Sequence, residues 1–153
     1  MANTFTQIHI HAIFAVKYRH NLIQNDWKQS LYKYIAGIIS KNNHKLLAIN
    51  GMPDHIHLLF SMRPVQSLSD LMKDIKGCSS KWINENKFVK YKFEWQIGYG
   101  AFAYSKSQIP IVINYIENQE IHHKNKSFVE EYQKILEELN IDFNEKFIFK
   151  LPS

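Results

Sequence analysis

The chain has 153 residues, 45% hydrophobic and 22% charged, which excludes a predominantly disordered protein and predicts one domain spanning 1–153. Lys and Arg outnumber Asp and Glu by 19 to 14 and the pI is about 9.2, a balance that suits a polyanionic partner without requiring one. A lone cysteine, Cys78, excludes an internal disulfide and a zinc–thiolate site; with no signal-peptide pattern and no apolar run of spanning length, a cytoplasmic protein away from membranes is expected.

Ile8, Ile10, Ala12, Phe14 and Val16 recur at period two, predicting a strand over 7–16 that exposes His9, His11 and Ile13 on its other face. Residues 26–42 carry Trp27, Leu31, Tyr34, Ile35, Ile38 and Ile39 at helical spacing, with Asp26 as the expected N-cap. Two strands follow, Lys45–Asn50 and His55–Met62, separated by Gly51-Met52-Pro53-Asp54 as a turn. Ser67 opens a second helix that runs to about Asn86, with Gly77 weakening its middle and Cys78 read as a small packing residue. Glu94–Ser105 reads as an aromatic strand interrupted by Gly98 and Gly100. A third helix is expected from about Ser107 to His123, with Pro110 in its first turn. A last one is expected from Ser127 to about Leu139, with Ser127 and Glu130 in capping-box spacing. The order β-α-β-β-α-β with additional C-terminal helices predicts an α+β, ferredoxin-like (RRM-like) antiparallel sheet.

Two patterns carry chemistry. In Pro53-Asp54-His55-Ile56-His57-Leu58-Leu59, residues i and i+2 of a strand share a face, so His55 and His57 present two imidazoles that can hold one divalent cation. His9-Ile10-His11 repeats the pattern on the first strand, and spacing does not choose between the pairs. On the third helix Tyr115 and Gln119 are one turn apart and share a face. A tyrosine oxygen attacks phosphorus well only beside a metal or base, and a glutamine amide oxygen is a hard ligand. An amphipathic core tyrosine beside a solvated glutamine gives the same spacing.

These two segments, in this order, resemble the HUH motif and the tyrosine helix of the single-tyrosine transposases of small insertion sequences and of their relatives associated with repetitive extragenic palindromes. Lys17-Tyr18-Arg19 resembles the family's basic turn, Leu71–Gly77 its following helix, Trp95–Phe102 its aromatic and glycine segment, and Gln119–His123 the end of its tyrosine helix. Ala103-Tyr104-Ser105 and Ile97 depart from the family pattern, Ile97 standing where a basic residue is common. The resemblance implies a transposase that cleaves and rejoins single-stranded DNA through a 5′-phosphotyrosine intermediate. Tyr115 would be the nucleophile, His55, His57 and Gln119 the ligands, and Mg²⁺ or Mn²⁺ the metal. It also implies hairpin-ended single-stranded DNA as partner, and a homodimer in which the tyrosine helix of one subunit can serve the other's histidine pair. Within it, Lys17, Arg19, Lys73, Lys76 and Lys81 are candidate phosphate contacts, and His9, His11, His122 and His123 are candidates for outer metal support or DNA contact. The aromatic segment 93–104 carries apolar surface for a symmetric partner to cover.

The alternatives are a non-catalytic single-stranded nucleic-acid-binding protein on the same sheet, a domesticated HUH nuclease, and a small metal-binding protein unrelated to DNA. A metal-dependent, protein-linked DNA product separates the first and last from the transposase.

Overall fold

The computed structural model describes residues 4–123 and 127–138. The elements are β1 (His9–Ala15), α1 (Asn25–Lys41), β2 (Lys45–Met52), β3 (His55–Ser61), α2 (Leu68–Glu85), β4 (Gly100–Tyr104), α3 (Ile109–Glu117), α4 (Gln119–His122) and α5 (Phe128–Glu138). The four strands form one sheet in the order β2-β3-β1-β4, antiparallel throughout. This is the ferredoxin-like arrangement expected from the element order, with α3, α4 and α5 added after β4.

Period two on the central strands sorts the layers. Ala12, Phe14, Ile56, Leu58 and Phe60 face α1 and α2, where they pack with Leu31, Ile35, Ile39, Leu71, Met72 and Ile75. Each of the larger aliphatic or aromatic side chains among them contributes about 1.5–3 kcal/mol when withdrawn from water. The opposite face carries Ile13, Ala15, Ala48 and Leu59, covered by Val112 and Ile116 of α3 and by Phe128 and Leu136 of α5. His11, Ile13, His55 and His57 lie on that second face and are buried. The expectation that β1 exposes His11 and Ile13 is therefore corrected, because the C-terminal helices roof this side.

Several local expectations change. Gln24, not Asp26, precedes α1, and Asp26 lies in its first turn. Ser67 does cap α2, accepting the Asp70 N–H at 3.1 Å. Cys78 is exposed rather than packed. The long aromatic strand shrinks to Gly100–Tyr104, joined upstream by an isolated bridge between Val16 and Trp95. Its apolar surplus is absorbed within the chain: Phe93, Trp95 and Phe102 are buried, leaving Ile97 and Tyr99 as the exposed large apolar residues of that stretch. The predicted helix 107–123 is broken: a 3-10 turn (Lys106–Gln108) leads into α3, and Asn118 (φ −100°, ψ 28°) separates α3 from α4. Ser127 receives the Glu130 N–H at 3.3 Å at the head of α5, as its spacing suggested; Leu139 lies outside the described residues. No helix among the described residues is long and apolar enough to cross a membrane.

Candidate metal and nucleophile site

The β2–β3 hairpin sets the first two side chains. Gly51 lies against the next strand so closely that a Cβ there would overlap the carbonyl oxygen of His55. Asp54 ties the turn to β1 by accepting the Val16 N–H at 2.8 Å through its carbonyl. Its carboxylate Oδ1 lies 2.7 Å from His55 Nδ1, which aims Nε2 away from the turn. His57, two residues on, shares the face, and both rings are fully buried. Of the competing pair on β1, His11 lies beside His57, with Nε2 2.8 Å from His57 Nδ1. His9 sits at the far end of the strand, with Nδ1 3.1 Å from Ser61 Oγ. Neither β1 histidine takes the place of His55 or His57 beside the carboxylate of Glu131.

Three further elements close over this pair. Asn50 of β2 donates its amide to the Ile116 and Glu117 carbonyls, both at 3.1 Å, satisfying two orphan acceptors at the end of α3 and fixing that end to the sheet. Tyr115 is thereby set edge-on to His57, with ring centroids 5.9 Å apart. After the break at Asn118, Gln119 is fully buried and its Oε1 lies 3.2 Å from His55 Nε2. His123 Nε2 reaches the same Gln119 oxygen at 3.1 Å; the side chain of His122 lies outside the described residues. From α5 comes Glu131, which the sequence reading missed. Its Oε1 lies 3.2 Å from His57 Nε2, 3.1 Å from His123 Nε2 and 3.5 Å from His55 Nε2. Its Oε2 accepts the Gln119 amide N–H at 3.1 Å and the Tyr115 hydroxyl. A signal for it existed: Glu131 is three residues after Phe128 and four before Ile135, an acid on the apolar stripe of an amphipathic helix.

The electrostatics follow from burial and from these partners. Burial opposes charge on His55, but the hydrogen bonds to Asp54 and Glu131 outweigh it and push its pKa up to about 9. His57 is held down, to about 4, mainly by burial. Burial also opposes the Glu131 charge, yet hydrogen bonds with His123, His55 and His57 hold its carboxyl well below the carboxylate range. Burial, then the Glu131 charge, push the Tyr115 hydroxyl well above the usual tyrosine range, so the phenol is firmly protonated in this arrangement. The ligand atoms of His55, His57 and Glu131 all lie within 4.8 Å of one another. Two imidazoles and one carboxylate around a common point, with an amide oxygen adjacent, form a mixed nitrogen and oxygen donor set that could hold a divalent cation. All these groups come from one chain.

The candidate phosphate contacts fall elsewhere. Lys73 and Lys81 are exposed on α2, whose apolar side packs on the sheet face opposite to the histidines. They line an open groove of about 680 Å³ between α2 and residues 92–99. Lys76 lines the same groove, but its ammonium donates to the Gln96 and Gly98 carbonyls at 2.7 Å each, holding that segment against α2. Lys17 pairs with Glu94 at 3.2 Å. Arg19 sits in a left-handed backbone conformation, φ 55°, after Tyr18 at φ 58°.

The chain is similar to known proteins over the part that carries His55, His57, Tyr115 and Gln119. Its residues 4–119 match the family model described as "Transposase IS200 like". It is 30% identical over 122 residues to the ISDra2 transposase TnpA of Deinococcus radiodurans, covering 74% of this chain and 84% of that protein. It is 27% identical over 124 residues to the transposase for insertion sequence element IS200 of Salmonella typhimurium, covering 78% and 81%. A crystal structure described as a transposase from Deinococcus radiodurans superposes with a TM-score of 0.64 at 27% identity, over 78% of this chain and 95% of that one. The REP-associated tyrosine transposase bound to a REP hairpin shares the fold, with a TM-score of 0.61 at 14% identity, over 80% and 73%. The matched span runs from before β1 to Gln119 and so includes both histidine strands and the tyrosine helix, and the chain belongs to the IS200-like transposase family.

Proposed function

We propose that this IS200-like transposase cleaves and rejoins single-stranded DNA, with Tyr115 as nucleophile and with His55, His57 and Gln119 as metal ligands. The observation that carries the reading is the convergence of Tyr115 and Gln119 on the buried His55–His57 pair. The donor set suits Mg²⁺ or Mn²⁺, with imidazole nitrogen favouring Mn²⁺. The bound cation would neutralise and polarise the phosphate under attack. Tyr115 supplies the oxygen that bonds to phosphorus as the bond to the 3′ oxygen breaks, and its phenol proton ends on the departing 3′-OH. The product is a 5′-phosphotyrosine link, and a later 3′-OH reverses the step on another strand. One phosphoester bond is made for each one broken, so no nucleotide cofactor is required.

DNA bearing hairpin ends is the expected substrate; the REP-associated tyrosine transposase of the same fold binds a REP hairpin. Exposed Lys73 and Lys81 are suited to the hairpin's phosphates, whereas Lys76 already serves its two carbonyls. Lys17 and Arg19 on the turn after β1 supply a second basic edge, with His9 as a more remote candidate. The chain acts as a single domain, in the cytoplasm, and as a homodimer.

The test is incubation of the protein with hairpin-containing single strands and Mn²⁺, followed by a denaturing gel. A covalent adduct formed by the native chain and absent with Tyr115→Phe is expected. An adduct that persists with Tyr115→Phe removes Tyr115 as nucleophile. No adduct with any such strand, alongside tight binding, would favour a non-catalytic single-strand binder.

A further inference from the structure

We propose that Glu131 binds the metal through one carboxylate oxygen and orients the Tyr115 hydroxyl through the other, making α5 a working part of the site. The inference rests on the site reading above and adds to it a residue from outside the family match, which ends at Gln119.

The case begins with electron pairs. A His55 that ligates a cation is neutral and keeps its ring proton on Nδ1, because the partner there is the Asp54 carboxylate, which only accepts. The Nε2 lone pair then faces Gln119 Oε1 at 3.2 Å and Glu131 Oε1 at 3.5 Å, two more acceptors. His57 Nε2 faces the same Glu131 oxygen at 3.2 Å. Lone pairs from three elements of the fold thus meet where only a proton or a cation relieves their repulsion. Without a cation a second proton on His55 fills this need, and His123 Nε2 stands 3.1 Å from both oxygens beside it. A carboxylate buried to 4% exposure is costly unless compensated; the surrounding imidazoles do this without a cation, and a divalent ion at this point takes over that role when the imidazoles give it their lone pairs.

The second oxygen does a separate job. Oε2 accepts from Gln119 Nε2 and from the Tyr115 hydroxyl. One carboxylate therefore touches both the ligand set and the nucleophile, and the bond it makes to the phenol fixes where that oxygen stands relative to the cation. The helix bringing it is anchored on the same strand, since Phe128 stacks on His55 with centroids 4.0 Å apart. Metal binding should in consequence fasten α5 to the sheet.

The experiment measures Mn²⁺ binding by the full chain without DNA, by calorimetry and by the loss of the free Mn²⁺ electron-spin signal. Glu131→Gln and Glu131→Ala should each weaken binding by at least about tenfold, the scale of lost metal-site support. Glu130→Gln, which removes an equal charge from the exposed neighbour, should leave binding unchanged. Mn²⁺ should slow amide exchange across 128–138 in the native chain and not in Glu131→Gln. With saturating Mn²⁺, Glu131→Gln should still form adduct at least about tenfold more slowly, since a misplaced nucleophile is not rescued by metal. Binding as tight as native, or tighter, in Glu131→Gln would overturn the ligand role and show a carboxylate that competes with the ion. Full recovery of the adduct rate by Mn²⁺ would overturn the orienting role. If His57→Ala also binds Mn²⁺ like the native chain, the underlying site reading is what fails. Glu131→Gln is nearly isosteric, so it carries the test should Glu131→Ala not fold.

Discussion

Phe128 lies flat on His55: the ring centroids are 4.0 Å apart and the planes are within 5°. The first residue of α5 thus covers the face of an imidazole whose Nδ1 edge is held by Asp54 and whose Nε2 edge opens to the site. Phe128 is 2% exposed and also meets Tyr132 edge-on. Phe128→Ala should cost about 3–5 kcal/mol if the space does not collapse, read by urea unfolding. Amide exchange in α5 should rise more than in β1 or β3, and an unchanged α5 would show that the helix docks without this ring.

The two histidine pairs should separate under mutation. His57→Ala should abolish adduct formation and weaken Mn²⁺ binding. His9→Ala removes only a contact to Ser61 at the other end of the strand, and should leave Mn²⁺ affinity within about twofold, an effect below 0.5 kcal/mol. Metal bound to His9 and His11 in a Mn²⁺-soaked crystal would reverse the assignment.

Gly51 is the most demanding backbone position near the site. Gly51→Ala forces a methyl onto the His55 carbonyl oxygen, and backbone cannot rotate away as a side chain can. A loss of about 3 kcal/mol is expected, at the upper end of overpacking costs, together with weaker Mn²⁺ binding as His55 moves. A melting temperature equal to that of the native chain would show that the hairpin yields cheaply.

The lysines of α2 should divide into two kinds. Lys76→Met removes two charged hydrogen bonds to carbonyls, and should destabilise the fold by about 1–3 kcal/mol. Lys73→Glu and Lys81→Glu should spare stability and Mn²⁺ affinity, weaken binding to a hairpin strand, and flatten its salt dependence by about one unit of slope per lost phosphate contact. Equal hairpin affinity across all salt concentrations in these two variants would move the DNA elsewhere.

In this structure Tyr115 and Gln119 meet the histidines of their own chain. A mixture of His57→Ala and Tyr115→Phe proteins should therefore remain inactive when each site is completed in cis. Recovery of adduct in the mixture would mean that tyrosine helices exchange between subunits of a dimer. Light scattering on the native chain tests the dimer separately.

The sheet was legible because its signals are local. Ile10, Ala12, Phe14 and Ile56, Leu58, Phe60 alternate without interruption, and Ser67 caps α2 as a short polar residue before an apolar stripe should. What escaped depends on contacts distant in sequence. The stretch 94–99 reads as strand from its aromatics, but Lys76 and Asn84 hold its surroundings to α2 instead, Asn84 by a pair of bonds to the Phe93 backbone. The break at Asn118 has no glycine or proline to announce it; Asn50, 66 residues before Ile116, takes the Ile116 and Glu117 carbonyls at the end of α3. Cys78 falls on the outer side of its helix despite its apolar character. For the site, the motif residues were readable by resemblance, while Glu131 was not, because an acid on an apolar stripe shows its purpose only once the histidines are placed beneath it.

The contact between His11 and His57 has a consequence for proton placement. If His57 offers the Nε2 lone pair to a cation, its ring proton must sit on Nδ1 and be donated to His11 Nε2, 2.8 Å away. His11 must then carry its own proton on Nδ1, and that atom is buried with no hydrogen-bond partner, near the rings of Phe102 and Tyr104. Burial and the neighbouring His57 hold His11 down to about 3, so it does not gain the second proton that would end its role as acceptor. The first strand thus selects the tautomer of the third. An amide oxygen at position 11 can do the same, whereas a lysine there would present only donors and turn His57 away from its cation.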